Sequence, residues 1–246
     1  MMTAGIIILC IVLLGLVLYW LLILAEGTHL GPRTVEILYD WTAKRYDRIK
    51  NLHCVDEARF VGLPLSRYLA HVQLPRVLDV ATGTARVPLA LMRSAPFEDS
   101  LVGLDRSHYM LAIAQEATRD YQEHLLFVRG DATALSFSNR SFDCVTCLEA
   151  LEFMRGPDIV LQEMIRVLKP GGILMISNRV GRDAVFFPGR LRGRGHLENT
   201  LHEMGLTDIR NQRWQVHYDL IWAHKPADDT LSAHTTVTDN IRMQER

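Results

Sequence analysis

The sequence predicts an α/β protein, a doubly wound sheet whose strands alternate with helices, behind one N-terminal transmembrane helix. Three observations predict it. Short apolar strand patterns and longer helical patterns alternate from Val77 to His224. The stretch Val77-Leu78-Asp79-Val80-Ala81-Thr82-Gly83-Thr84-Ala85 reads as a buried strand entering a turn with almost no side-chain bulk, and a helical apolar run, Val87 to Met92, follows it. Ile6 to Ala25 carries no charged residue at all.

The chain has 246 residues, enough for one α/β domain with a sizeable core plus a short extra segment. A formal net charge of −1 gives no reason to expect nucleic acid as a partner. Four cysteines are too few and too scattered for a disulfide framework. Cys144 and Cys147 form a C-x-x-C string within an apolar strand pattern, where residues three apart point to opposite faces. They are expected as buried core thiols of a reducing compartment, not as a zinc site or a disulfide. The ten histidines show no metal-ligand spacing.

In chain order, Ile6–Ala25 comes first. At ~1.5 Å per residue it spans about 30 Å, the thickness of a bilayer's hydrocarbon core. Tyr19 and Trp20 suit the interface at its end. Nothing basic precedes the span, whereas Arg33, Lys44, Arg45, Arg48 and Lys50 follow it. That bias predicts a single-pass membrane protein with its C-terminal bulk on the cytoplasmic side. A cleaved signal peptide competes, but the start lacks a basic residue and Ile23-Leu24-Ala25 is a poor cleavage site. After a linker at Gly27–Pro32, helical spacing covers Thr34–Lys50, and a second helical stretch covers about Val55–Val72, interrupted by Pro64.

Val77–Val80 is the first strand. A carboxylate at its end (Asp79), a bare turn and a helix N-terminus suit a zwitterionic, nucleoside-bearing ligand. The turn amides can hold a carboxylate, and Asp79 can face an ammonium or its bound water. Leu101–Leu104 is the second strand, and the acidic residue that closes it, Asp105, can accept hydrogen bonds from ribose hydroxyls. Leu125–Val128 is the third strand, followed by Gly130-Asp131-Ala132, and Phe142–Leu148 is the fourth. Asp158–Leu168 is an amphipathic helix that Lys169-Pro170-Gly171-Gly172 stops, and Ile173–Ser177 is strand five. His196–Met204 is a further helix, closed by Gly205, before two late strands at about Thr207–Trp214 and His217–His224. From Pro226 the composition turns polar and aromatic-free, which predicts a disordered tail.

The turn after Asp79 resembles the first motif of the class I S-adenosylmethionine (SAM) methyltransferases, Asp-x-Gly-x-Gly-x-Gly. It is most similar to the methyltransferase-11, ubiquinone/menaquinone-biosynthesis type, whose turn often reads Ala-x-Gly-Thr-Gly. Ala81 and Ala85 stand where the family most often has glycine. Asp105 to Leu111 is similar to the family's Asp-x-Ser-x-x-Met-Leu stretch, and Arg166-Val167-Leu168-Lys169-Pro170-Gly171-Gly172 before an apolar strand is its most specific string here. In motif order and spacing the resemblance runs from about Leu74 to His224.

The resemblance implies a Rossmann-like seven-stranded methyltransferase sheet with an antiparallel last strand, and SAM as cofactor. By position it implies cofactor contacts from Asp79, Ala81, Thr82, Gly83 and Thr84, from Asp105 and Arg106, and from Met110 packed on adenine. Asp131 would bond the adenine amino group, Ala132 would offer its N–H to the ring, and Leu148 would lie beside the cofactor. The helical lead-in would close over the site, with Tyr46 of a Tyr46-Asp47 pair contributing; two helices simply packed on the sheet are the alternative. A nicotinamide-dependent reductase is a rival, because the spacing of Asp105 from Gly83 also fits a dinucleotide fold. Against it, the turn is not G-x-G-x-x-G and an acid precedes it. A SAM-binding, membrane-tethered interaction module without catalysis is the other rival.

Arg179, Arg182, Arg190, Arg192 and Arg194 crowd the region after strand five, interleaved with Phe186, Phe187 and Leu191. They are expected either to rest on anionic headgroups, so that a small lipophilic methyl acceptor, a quinone precursor or lipid, enters from the membrane, or to form a solvated basic loop. Glu149, Glu152 and Tyr46 are candidates for a general base by position only, and the catalytic residues stay unassigned. The expected organisation is a membrane anchor at 1–26, a linker and helical lead-in at 27–73, the methyltransferase domain at 74–226 and the tail at 227–246.

Overall fold

A computed structural model describes residues 2–31, 33–38, 40–41, 57–94, 100–154, 156–187 and 193–228. Helix α1 runs over Met2–Tyr19 and continues as a wide π-helical turn over Trp20–Leu24. Every large hydrophobic side chain from Ile6 to Tyr19 is exposed, so this helix buries nothing against the rest of the chain. Helical backbone at 33–38 and 40–41 forms α2.

The second lead-in helix is not broken at Pro64. Ala58–Gly62 is a π-helical turn, and Leu63–Leu69 continues from it as α3. The wide turn bonds the Leu63 N–H to the Ala58 carbonyl, which accommodates a proline that has no N–H of its own. Val61, Leu65 and Leu69 face the sheet and join its core. This half of the lead-in therefore packs on the sheet and does not close over a site.

Seven strands follow: β1 Arg76–Val80, β2 Ser100–Asp105, β3 Leu125–Arg129, β4 Phe142–Cys147, β5 Leu168–Arg179, β6 Thr207–Arg213 and β7 Tyr218–His224. Between them lie helices α4 Arg86–Ser94, α5 His108–Ala117, α6 Pro157–Val167 and α7 His196–Glu203. The strands lie in the order β3-β2-β1-β4-β5-β7-β6, with β1 to β5 parallel and β7 antiparallel to both neighbours. The chain winds outward in one direction from β1 and in the other from β4, so a crevice opens between their carboxyl ends.

Strand alternation divides the core into two halves. Leu78, Val80, Val145 and Cys147 belong to one cluster, Val77, Cys144 and Met175 to the other. Cys144 and Cys147 thus sit on opposite faces, both fully buried, and desolvation pushes both thiols above their ordinary range.

Lys169-Pro170-Gly171-Gly172 departs from the expected stop between helix and strand. Leu168 already pairs with Phe142, and the next register pair is Cys144 with Ile173, so these four residues bulge out opposite Asp143. Lys169 Nζ clamps the bulge through both Asp143 oxygens, at 2.9 and 2.7 Å. Gly172 has to be glycine here, since a Cβ would stand 2.9 Å from the Asp143 carbonyl oxygen.

Candidate active site

A cavity of about 470 Å³ lies over the carboxyl ends of β1 to β4, within the ~300–1,000 Å³ usual for small-molecule sites. Its floor is the turn after β1. Ala81, Gly83 and Ala85 all take left-handed backbone, at φ 56°, 53° and 69°. A Cβ on Gly83 would meet nothing within 4 Å, so a ligand can reach its backbone. The Thr82 N–H is tied to the Leu104 carbonyl at 2.9 Å, which fixes the turn to β2.

Asp79, 2% exposed, ends β1 beneath this turn. Its Oδ1 accepts a 2.6 Å hydrogen bond from Thr146 Oγ1, whereas Oδ2 has no hydrogen-bond partner among the described residues. Burial pushes its carboxyl up to about 7, against the pull of the hydrogen bond from Thr146. Thr82 Oγ1 is also buried with no hydrogen-bond partner among the described residues. Buried polar atoms aimed into a cavity call for a ligand or water to complete them.

Asp105, closing β2, accepts the Gly83 N–H through Oδ2 and the Ser107 N–H through Oδ1, each at 2.8 Å. Burial raises its carboxyl pKa, and those amides pull it back. Ser107 caps α5, its hydroxyl accepting the Met110 N–H at 3.1 Å, so Met110 is held against the cavity. Past β3, Asp131 Oδ1 accepts from the Thr133 amide at 2.9 Å and hydroxyl at 2.8 Å, which lowers its pKa. Its Oδ2 meets Arg106 at 3.3 Å.

Thus Asp79, Ala81, Thr82, Gly83, Thr84, Asp105, Arg106, Met110, Asp131, Ala132 and Leu148 converge on one cavity wall. Tyr46 lies outside the described residues. Sequence reasoning missed several others. Val35 and Glu36 of α2 line the wall, and Glu36 approaches Arg106 at 3.7 Å and Arg129 at 3.3 Å. Helical periodicity marked α2, but no periodicity says which face covers a cavity.

Phe153, Met154 and Ile159 form an apolar wall past β4, a section with no motif to betray it. Glu149 also lines the cavity, with a left-handed φ of 50°, and is held by Arg86 and by Gln215 Nε2 at 2.9 Å. Arg86 in turn pairs with Glu57 and lies over the Trp214 ring.

Two expectations need correction. Glu152 is not part of the cavity wall; it is 2% exposed behind it, accepting from the Tyr218 hydroxyl, with Arg179 at 3.7 Å. Burial lifts its carboxyl to about 7 and raises the Tyr218 phenol. Arg179 does not face headgroups either. It lies over the Phe187 ring at 4.1 Å and reaches Glu152 and Glu26, because a buried carboxylate and an aromatic face draw a guanidinium inward. Arg194 is paired with Asp219, with Nε to Oδ2 at 2.6 Å. Arg190 and Arg192 lie outside the described residues, as does the Arg182 side chain.

SAM fits these residues. The unpartnered Asp79 oxygen suits an ammonium, the open Gly83 backbone suits close approach, and Asp105 and Asp131 add acceptors along the cavity. Residues 78–176 match the family described as a methyltransferase domain. The chain carries a class I SAM-dependent methyltransferase domain.

A demethylmenaquinone methyltransferase from Renibacterium salmoninarum is 34% identical over 149 residues, covering 59% of this chain and 59% of that protein. The chain thus spans about three-fifths of the length of this relative. A SAM-dependent methyltransferase from Aquifex aeolicus shares the fold, with a TM-score of 0.57 at 17% identity over 75% of this chain and 97% of that one. So does the [4+2]-cyclase SpnF, with a TM-score of 0.53 at 22% identity over 67% of this chain and 81% of that one. The methyltransferase-domain match displaces the nicotinamide-reductase alternative.

Proposed function

We propose that this protein is a membrane-anchored methyltransferase that moves the methyl group of SAM to a small lipophilic acceptor, a quinone precursor or lipid. The observation that carries the reading is the polarity of the cavity along the sheet. Strands β3, β2, β1 and β4 are neighbours, so the loops after β3 and β4 lie about 14 Å apart at ~4.8 Å per strand. Asp131, Asp105 and Asp79 follow one another from the β3 side, and past Glu149 on the β4 side the wall turns apolar at Phe153, Met154 and Ile159.

Bound SAM supplies an electrophilic methyl on a sulfonium. The residues of the chain bind and align: Asp79 holds the ammonium, Asp105 the ribose and Asp131 the adenine amino group. Met110 packs on the ring, Ala132 lends it an N–H, and Arg106 steadies Asp131. The apolar wall past β4 orients the acceptor and excludes water, and such positioning supplies much of the rate of an in-line displacement. Of the carboxylates that line the cavity, Glu149 is the one nearest that wall along the chain.

The Gly5–Leu24 helix is long and apolar enough to cross a membrane. We take it as the anchor, with the catalytic domain on the cytoplasmic side. The relative's name makes demethylmenaquinol the first acceptor to try. A SAM-binding module without turnover is the second reading, favoured by the capture of Glu149 by Arg86 and Gln215. Calorimetry of SAM with the full chain in lipid nanodiscs, followed by transfer of labelled methyl to demethylmenaquinol and membrane lipid extracts, separates the readings. Binding with transfer supports the enzyme, binding without transfer to any acceptor supports the module, and no binding ends both.

A further inference from the structure

We infer that the outer face of α2 is seated in the headgroup region of the bilayer, so that a lipid-borne helix closes the SAM cavity. This rests on the anchor reading above. The inner face of α2 belongs to the cavity: Val35 and Glu36 line it, Glu36 reaches Arg106 and Arg129, and Asp40 accepts from the Ser107 hydroxyl. The flank beside that face presents Arg33, Ile37 and Trp41, spaced by four and all exposed. Ile37 is 63% exposed and Trp41 87%. An isoleucine and a tryptophan open to water on the helix that covers a cofactor cavity need a cover of their own. Arginine, isoleucine and tryptophan in one stripe match an interface that is apolar below and phosphate-bearing above.

The junction with α1 fixes which cover that is. The span ends at Leu24, and α2 begins at residue 33. The intervening turn is docked on the domain and is no loose tether. Trp20 stacks on His29 at 5.0 Å, His29 Nε2 hydrogen-bonds the Phe186 carbonyl at 2.7 Å, and Glu26 meets Arg179 at 4.0 Å. Leu30 and Val185 beside this junction are exposed as well. Continuity with the span therefore makes the bilayer the occupant, ahead of a second copy of the chain. The consequence is functional: lipid contact on one face of α2 holds its other face over the cofactor.

The test uses the full chain in phosphatidylcholine–phosphatidylglycerol vesicles, with and without acyl chains brominated near the carbonyl. The fluorescence difference between the natural chain and Trp41→Phe isolates Trp41. We expect that difference to be quenched several-fold by the brominated lipid, and Ile37→Glu to weaken SAM binding on vesicles about tenfold without lowering the melting temperature. A Trp41 signal quenched by aqueous iodide and untouched by bromine overturns the inference while leaving the anchor intact. Protection from both quenchers, with two chains per vesicle particle, assigns the face to a second copy and also overturns it. Release of the protein from vesicles by alkaline carbonate sinks the anchor and this inference together.

Discussion

The Gly83 N–H donates to Asp105 Oδ2 at 2.8 Å, which ties the turn after β1 to the end of β2. One carboxylate therefore both builds the turn and faces the cavity. Asp105→Asn keeps one acceptor oxygen and sets an NH2 against a backbone donor. It is expected to weaken SAM binding at least a hundredfold and to cost about 1–3 kcal/mol of stability, the penalty of a buried donor left unpaired. Calorimetry and urea unfolding read the two effects. Unchanged SAM affinity would show that Asp105 serves only the turn.

SAM affinity should rise with pH up to about 7 and then level off. Burial holds the Asp79 carboxyl at about 7, so at lower pH it is protonated in the free protein. A ligand cation at Oδ2 favours the ionised form, and binding below that pH must release a proton. Calorimetry at pH 6 in two buffers of different ionisation enthalpy measures the release, and Asp79→Asn should abolish it. A proton count of zero in the natural chain would place the ammonium elsewhere.

Stability without ligand should run the opposite way. Asp79 and Glu152 are raised from 3.8 and 4.5 to about 7 in the folded chain. Between about pH 4 and 7 the folded state keeps protons that the unfolded chain releases, so these groups make stability fall as pH rises. The contribution is fully present below the unfolded values and lost by the folded ones. Glu152→Gln removes its share of that slope in denaturant titrations across this range; a slope unchanged by it would contradict the assignment.

Ala81 and Ala85 carry the left-handed strain that glycine avoids, at about 1–2 kcal/mol for an L-residue. Ala81→Gly should gain roughly 0.5–1 kcal/mol after the extra unfolded-chain entropy of glycine is subtracted. Ala85 is fully buried, so Ala85→Gly also gives up a methyl worth about 0.8 kcal/mol and should come out near zero. Thermal melts of the two variants distinguish the positions.

Gly62→Ala should cost about 2–3 kcal/mol through overpacking, because its Cβ would run into the Ala90 carbonyl oxygen of α4. Gly15→Ala on the exposed α1 meets nothing within 4 Å and should leave the melt unchanged. Equal melts for both variants would mean that the π-helical turn before α3 does not approach α4 so closely.

Local chemistry determined much of this molecule in advance. The strand pattern at Val77–Val80, the bare turn after it and the acids at Asp79, Asp105 and Asp131 are legible because each is a short-range signal in sequence. The opposite burial of Cys144 and Cys147 follows from strand alternation alone. The uncharged run of Ile6–Ala25 likewise states its own length and polarity. Contacts between distant segments carry no such signal. Only the tertiary structure decided that Arg179 turns inward to Glu152 and Glu26, and that Lys169–Gly172 bulges out opposite Asp143. It alone brought Glu36 of α2 to Arg106 and Arg129 across the cavity. Each depends on which faces meet after the sheet has closed, and pairings so far apart in the chain leave no periodicity to read.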